Sequence, residues 1–190
     1  MKILIAYDGS ESADKGVDGL QRAGLPTQDV EALVVTVAEV WLPPPPGDEA
    51  VEDTFPFQVP AGVKLARERA ARIVEHAEEL AERGGKRVRN IFPAWAVSHE
   101  ALSGSPAFEV LNRVEEWQPQ LVVVGSHGHT ALGRFVLGSV SQKVLTEART
   151  SVRVARRATG AGASAERVVV ACDGSAGAQA GLRAVAGRGW

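Results

Sequence analysis

Cysteine is almost missing from this chain: Cys172 stands alone in 190 residues. That excludes a disulfide framework and any cysteine-rich zinc site. Neither sign of charge dominates. Twenty-one lysines and arginines against 23 aspartates and glutamates leave a net charge of −2, which gives no footprint for nucleic acid or an anionic membrane. No apolar run approaches the roughly 18 residues that a membrane helix needs. The apolar start, Lys2 to Tyr7, is too short for a secretory signal and meets Asp8 at once. A reduced, cytoplasmic protein with no nucleic-acid or membrane partner is the expectation. What is present, 45% hydrophobic and 23% charged residues, is the usual balance of a globular chain. The length allows one ordinary domain and a remainder.

Apolar periodicity switches back and forth along the chain. Lys2–Tyr7 reads as a buried strand, Asp8-Gly9-Ser10 as a turn in which Ser10 or Ser12 caps a helix, and Ala13, Gly16, Val17, Leu20 and Ala23 as that helix's apolar face. Gly24-Leu25-Pro26 stops it. A second strand lies within Glu31–Val40. Pro43 to Pro46 make Trp41–Pro60 an extended loop. From Val63, the positions Ala66, Ala70, Ile73, Val74, Ala77, Leu80 and Ala81 form a helical stripe, which Gly84-Gly85 is expected to end. Arg87–Val97 has strand-like residues, with Pro93 assigning it to an edge or a bulge. Ser105-Pro106 opens a helix with Phe108, Leu111, Val114 and Trp117 on one face. Leu121–Val124 is the clearest strand, followed by a glycine-rich loop, a short helix over Ser139–Thr146 and a last strand over Ser151–Ala155. Strands alternating with helices predict an α/β fold, a parallel sheet covered on both faces.

An internal repeat follows. Residues 1–157 read as one domain and 158–165 as a Gly/Ala/Ser linker. Residues 166–190 then open a second copy, in which Val168–Ser175 matches Ile3–Ser10 at an offset of 165 (173 − 8) and keeps the Ala and the Asp-Gly-Ser. Ala176–Ala186 matches the first helix. A strand and a helix alone cannot bury a core, so partial order and no second working site are expected there. Cys172, inside an apolar run, reads as a small core residue.

The strongest chemical signal is Gly125-Ser126-His127-Gly128, nine residues, then Gly138-Ser139. Gly125 and Gly128 permit close approach of backbone to a ligand. Gly138-Ser139 starts a helix, whose unpaired N–H groups and positive dipole end favour an anion, a phosphate chain best of all. The loop follows a central strand, where open α/β sheets bind ligands. Other phosphate motifs fail: Gly128-x4-Gly133-Arg134-Phe135 lacks the Lys-Ser/Thr pair of a Walker loop, and Gly160–Ala165 precedes a strand instead of following one. His127 and His129 lack a third ligand at useful spacing, so no metal site is expected. Asp14 and Asp18 read as residues of an exposed helix face.

The pattern Gly-x2-Gly-x9-Gly-Ser after a strand, with Asp8 ending the first strand, resembles the universal stress protein family and, within it, the ATP-binding branch. The resemblance covers residues 1–157, with 166–186 as the start of a second copy. It implies a doubly wound five-stranded parallel sheet, flavodoxin-like or adenine nucleotide alpha hydrolase-like, in the order 3-2-1-4-5. It implies that Ala6 and Asp8 face the adenosine and that Val37 reads the adenine edge through its backbone. Gly125, Ser126 and Gly128 would lie against ribose and first phosphate; Gly138, Ser139, Val140 and Ser141 would hold the phosphates. ATP, or AMP or ADP, is the implied ligand, with Mg²⁺ or Mn²⁺ bridging phosphates and no protein cage for the ion. It further implies a homodimer through the last strand near Ser151–Ala155, and a nucleotide-gated regulator in stress response acting on an unidentified protein partner. Without a Walker lysine, a general base or a second acidic residue for a metal, no enzyme beyond a weak ATPase is expected. Two alternatives stay open: an adenylating enzyme, whose Ser-Gly-Gly-x-Asp-Ser and His-Ile-Gly-His signatures are missing, and a protein-interaction module whose pocket is blocked by Trp41–Pro60 or by the second copy.

Overall fold

Five of the short apolar runs pair into one parallel sheet. The computed structural model describes residues 1–40, 61–126, 137–155 and 168–189. Its strands are β1 (Lys2–Ala6), β2 (Glu31–Ala38), β3 (Ala96–Ser103), β4 (Leu121–Gly125) and β5 (Ser151–Ala155), and its helices α1 (Glu11–Asp18), α2 (Ala61–Ile91), α3 (Pro106–Trp117), α4 (Ser139–Glu147) and α5 (Ala176–Ala186). The sheet order is β3-β2-β1-β4-β5, with parallel registers such as Leu4 beside Leu33 and beside Val122. The predicted order is therefore found.

Side-chain alternation along the strands sorts the core into two layers. Ile3, Ile5 and Tyr7 of the β1 run join Val34 and Val123 on the face covered by α1, the 3₁₀ turn Gly19–Arg22 after it, and α2, through Ala13, Val17, Leu20 and Val88. Leu4, Leu33, Val35, Val122 and Val124 point the other way, onto Val110, Val114 and Val144 of α3 and α4. A strand buried on both sides must be apolar at every position, which is why β1 and β4 read as unbroken hydrophobic runs.

Two expectations in the middle of the chain are overturned together. Gly84-Gly85 does not stop a helix: α2 is one helix of 31 residues that passes straight through the pair. The glycines are there for packing. A methyl group built on Gly84 would stand 2.8 Å from Tyr7 Cδ1 and 2.9 Å from Val34 Cγ1, so the helix backbone lies directly on the sheet. Consequently Arg87–Ile91 is helical, Pro93 falls between α2 and β3, and the third strand is Ala96–Ser103, a sheet edge. Trp95 closes the corner as a core residue. It stacks on Phe92 at 3.8 Å between ring centroids and donates its indole N–H to Pro26 O at 3.0 Å.

Smaller corrections follow the same logic. Of the expected α3 face, Val114 is buried and Leu111 and Trp117 pack against the core, but Phe108 is 55% exposed, and Ala107 and Val110 complete the buried face. Asp18 is exposed, as expected, and Asp14 only partly so, and both carboxylates are also tied to neighbours: Asp18 accepts two bonds from Arg87 at 2.8 and 2.7 Å, joining α1 to α2, and Asp14 accepts from the Tyr7 hydroxyl.

That last contact gives a spectroscopic prediction. Burial raises the Tyr7 pKa above its ordinary 10.0, and Asp14 raises it further while Arg83 opposes. A raised folded-state value means that the stabilisation is whole below the unfolded pKa of about 10 and is lost as pH climbs through the folded one. Tyr7 is the sole tyrosine, so the rise in near-ultraviolet absorbance on phenolate formation reads it alone. The folded protein should titrate later than the denatured chain, and Asp14→Asn should bring the two curves closer. Coincident curves would contradict the burial and the contact.

Residues 173–178 take the same local conformation as residues 8–13 without a core to support them. Asp173 Oδ1 accepts from Ser175 N at 2.9 Å and Ser175 Oγ from Ala178 N at 3.1 Å, matching Asp8 on Ser10 N at 3.0 Å and Ser10 on Ala13 N at 3.1 Å. Gly9 and Gly174 adopt φ of +76° and +82°. Val168–Ala171, however, is not a strand. Val169 is 93% exposed and Cys172 is exposed too, against the expectation of a core cysteine. A strand needs neighbours, whereas a capped turn and helix start need only their own residues. α5 buries no residue.

Candidate functional site

The order β3-β2-β1-β4-β5 puts the reversal of strand order between β1 and β4, where a crevice opens beyond the carboxyl ends of the parallel strands. A cavity of about 730 Å³ lies there, within the size range of small-molecule sites. Its floor is made by Ala6, Tyr7 and Asp8 after β1, Val35 to Glu39 at the end of β2, and Val124 and Gly125 at the end of β4. One wall is the start of α4, Gly138 to Ser141 with Lys143 beyond. Another is an α2 stripe of Ile73, His76, Ala77 and Leu80. The start of α3, from Ser105 to Ala107 with Val110, completes it.

Local chemistry holds the edges in place. Asp8 sits in an Asx turn, and Gly9 follows with positive φ beneath α2, where a built Cβ would meet Leu80 Cδ2 at 2.6 Å. Thr36, buried, donates its hydroxyl to Tyr7 O at 2.7 Å, locking the ends of β1 and β2 together. At the other side Ser126 N donates to Ala155 O and Gly138 N to Ser126 O, each at 2.9 Å. The buried Ser141 hydroxyl donates to Gly125 O. The first turn of α4 is thus bolted to the end of β4. Its N-cap is Gly138, with no side-chain cap, so the N–H groups of Ser139, Val140 and Ser141 have no intrahelical acceptor.

Of the residues that the sequence singles out, Ala6, Asp8, Val37, Gly125, Gly138, Ser139, Val140 and Ser141 all border this cavity. Ser126 does not. It is buried with its hydroxyl 3.3 Å from that of Ser12 on α1. Gly128, His127, His129 and Arg134 lie outside the described residues, as does the proline-rich segment 41–60. Among the described residues no three His, Cys, Asp or Glu side chains are grouped to hold a metal ion. Sequence reasoning missed Thr36, Glu39, His76, the α3 start and Lys143. It placed Ile73, Ala77 and Leu80 on an apolar stripe, but a stripe at helical spacing does not distinguish a cavity wall from a core. Only the position of His76 within it, three residues after Ile73, hinted at a surface open to polar chemistry.

A doubly wound α/β protein with a helix start and a carboxylate facing one crevice is thereby defined. The chain matches the Universal stress protein family over residues 1–156, and it belongs to that family. It is similar to the universal stress protein YxiE of Bacillus subtilis, 32% identical over 151 residues that cover 75% of this chain and 90% of that protein. Among solved structures it is similar to a universal stress protein from Archaeoglobus fulgidus, with a TM-score of 0.67 and 20% identity over 97% of this chain and 61% of that one. A universal stress protein family member from Arabidopsis thaliana, solved with AMP bound, superposes with a TM-score of 0.53 at 17% identity, over 84% of this chain and 93% of that one. No helix among the described residues is long and apolar enough to cross a membrane.

Proposed function

We propose that the cavity binds an adenine nucleotide, ATP foremost, and that the protein is a nucleotide-gated regulator in stress response with little or no hydrolysis. One observation carries this reading: Asp8, the β2 end, Gly125 and the uncapped start of α4 border a single cavity of about 730 Å³. In that order they present a carboxylate for hydroxyls, a backbone edge for a base, and N–H groups without an intrahelical acceptor for phosphates. The AMP found in the Arabidopsis relative supports the same ligand class. A Mg²⁺ ion would ride on the phosphates, since Asp8 and Glu39 are the carboxylates among the described lining residues and a cage needs more. Residues 1–157 would form the nucleotide domain and 158–165 a linker to the 166–190 copy. The β5 edge would pair two copies, and the protein would act in the cytoplasm.

The test is isothermal titration of ATP and AMP into the purified chain, with and without Mg²⁺, repeated on Gly128→Val. Micromolar binding that the variant loses is the expected result, with turnover below about 1 s⁻¹, the low end for kinases. Failure of the parent chain to bind either nucleotide would discard this function in favour of an interaction module. Release of pyrophosphate with a candidate substrate would favour an adenylating enzyme.

A further inference from the structure

We infer that Lys143 is the residue through which the cavity reads the length of the phosphate chain, so that a nucleoside triphosphate is taken in preference to a monophosphate. This rests on the adenine-nucleotide reading above and deepens it. Polar chemistry is graded along the cavity in the order of the strands. The β2 end with Val37 comes first, Asp8 after β1 next, then Gly125 after β4, and last the start of α4. Neighbouring strands are about 4.8 Å apart. A nucleoside spread from β2 across β1 therefore brings its first phosphate to the β4 end, and further phosphates must run over α4.

Lys143 stands at that far end. It lies four residues after Ser139, on the same face of α4, and lines the cavity with Ser139 and Ser141. The start of α4 has no acidic residue in its first turn. The Ser141 bond to Gly125 O fixes the helix, so the ammonium group hangs from a rigid support. Its partner on the protein is weak: Glu147 Oε1 is 3.7 Å away and both side chains are about half exposed, a pairing that phosphate oxygens displace at little cost. His76, the other basic side chain among the described lining residues, comes from α2 on the opposite face of the sheet. The positive dipole end of α4 serves the nearer phosphate; the lysine adds a charge that only a longer chain reaches.

The experiment titrates ATP, ADP and AMP in EDTA into the parent chain, Lys143→Met and Lys143→Arg. Methionine keeps most of the aliphatic stem, and thermal melts check that the fold is kept. In the parent, ATP should bind about tenfold tighter than AMP, the size of one charge-assisted hydrogen bond. Lys143→Met should bring ATP down to the AMP level while AMP itself changes by less than about twofold, and arginine should restore the preference. Raising salt from ~0.05 to ~0.5 M should shrink the ATP preference of the parent but not that of Lys143→Met. Equal losses for ATP and AMP in Lys143→Met would overturn the inference. So would a parent that binds AMP as tightly as ATP, a result that leaves the adenine-nucleotide site standing. If the parent binds neither nucleotide, the site reading falls first and this inference with it.

Discussion

Gly84→Leu should destabilise the protein by about 3 kcal/mol or more, which for a chain of this length is a fall of about 6–12 °C in Tm. The position lies mid-helix on α2, where intrinsic propensity favours almost any residue over glycine by up to about 1 kcal/mol. Sterics decide against that gain. A Cβ on Gly84 would press on the Tyr7 ring at 2.8 Å and on Val34 at 2.9 Å, and both are fully packed core residues, 2% and 0% exposed. They have no free volume to move into, so α2 would lift from the sheet. Gly84→Ala should cost about 1–2 kcal/mol, the overpacking exceeding the propensity gain. Its neighbour gives the contrast. A Cβ on Gly85 meets His99 at 3.4 Å, so Gly85→Ala should be neutral or stabilising by up to about 1 kcal/mol. Melts followed by circular dichroism separate the two. Equal effects at positions 84 and 85 would show that α2 does not lie on the sheet as described.

Asp8→Asn should weaken nucleotide binding by about 10- to 100-fold, the worth of hydrogen bonds to an ionised carboxylate, while keeping the turn. The asparagine side chain retains a carbonyl oxygen for the Ser10 N–H that Asp8 Oδ1 accepts at 3.0 Å, so the turn and the Ser10 cap of α1 survive. What it loses is the charge that would accept from ribose hydroxyls. Asp8→Ala loses both functions and should also cost about 1 kcal/mol of stability. Asp173 supplies the internal control. It makes the same turn with Ser175 at 2.9 Å, yet it is exposed and does not line the cavity, so Asp173→Asn should leave affinity unchanged. Calorimetry on the three variants distinguishes a ligand-binding carboxylate from one that only shapes a turn. Binding by Asp8→Asn equal to that of the parent would leave Asp8 with the structural role alone.

Local chemistry was legible from the residues and survives in the fold. The Asp-Gly-Ser turn and its serine cap need only six consecutive residues (173 to 178), and they form even there, where no core supports them. β4 was legible because a strand buried on both faces must be apolar throughout. Of the eight residues on the cavity, Gly125, Gly138 and Ser139 were legible in the glycine spacing of a strand-to-helix junction, whereas Ala6, Asp8, Val37, Val140 and Ser141 are implied by the resemblance to the family.

Tertiary structure alone decided the rest. Gly84-Gly85 carries the usual signal of a helix end, and whether glycine ends a helix or lets it touch a sheet depends on Tyr7 and Val34, 77 (84 − 7) and 50 (84 − 34) residues away in sequence. With the pair taken as a helix end, the third strand is expected at Arg87–Val97, and it lies nine residues later at its start (96 − 87) and six at its end (103 − 97). Ser126 sits within the glycine motif, but the fold turns its hydroxyl to Ser12, away from the cavity. Val168–Ala171 repeats the β1 pattern and forms no strand, because β pairing is a property of two segments and periodicity of one. The α2 wall and Lys143 enter the site only because α2 and α4 meet the strand ends from opposite faces of the sheet. Periodicity states which residues of a helix share a face; what that face looks onto is settled by the packing of the whole chain.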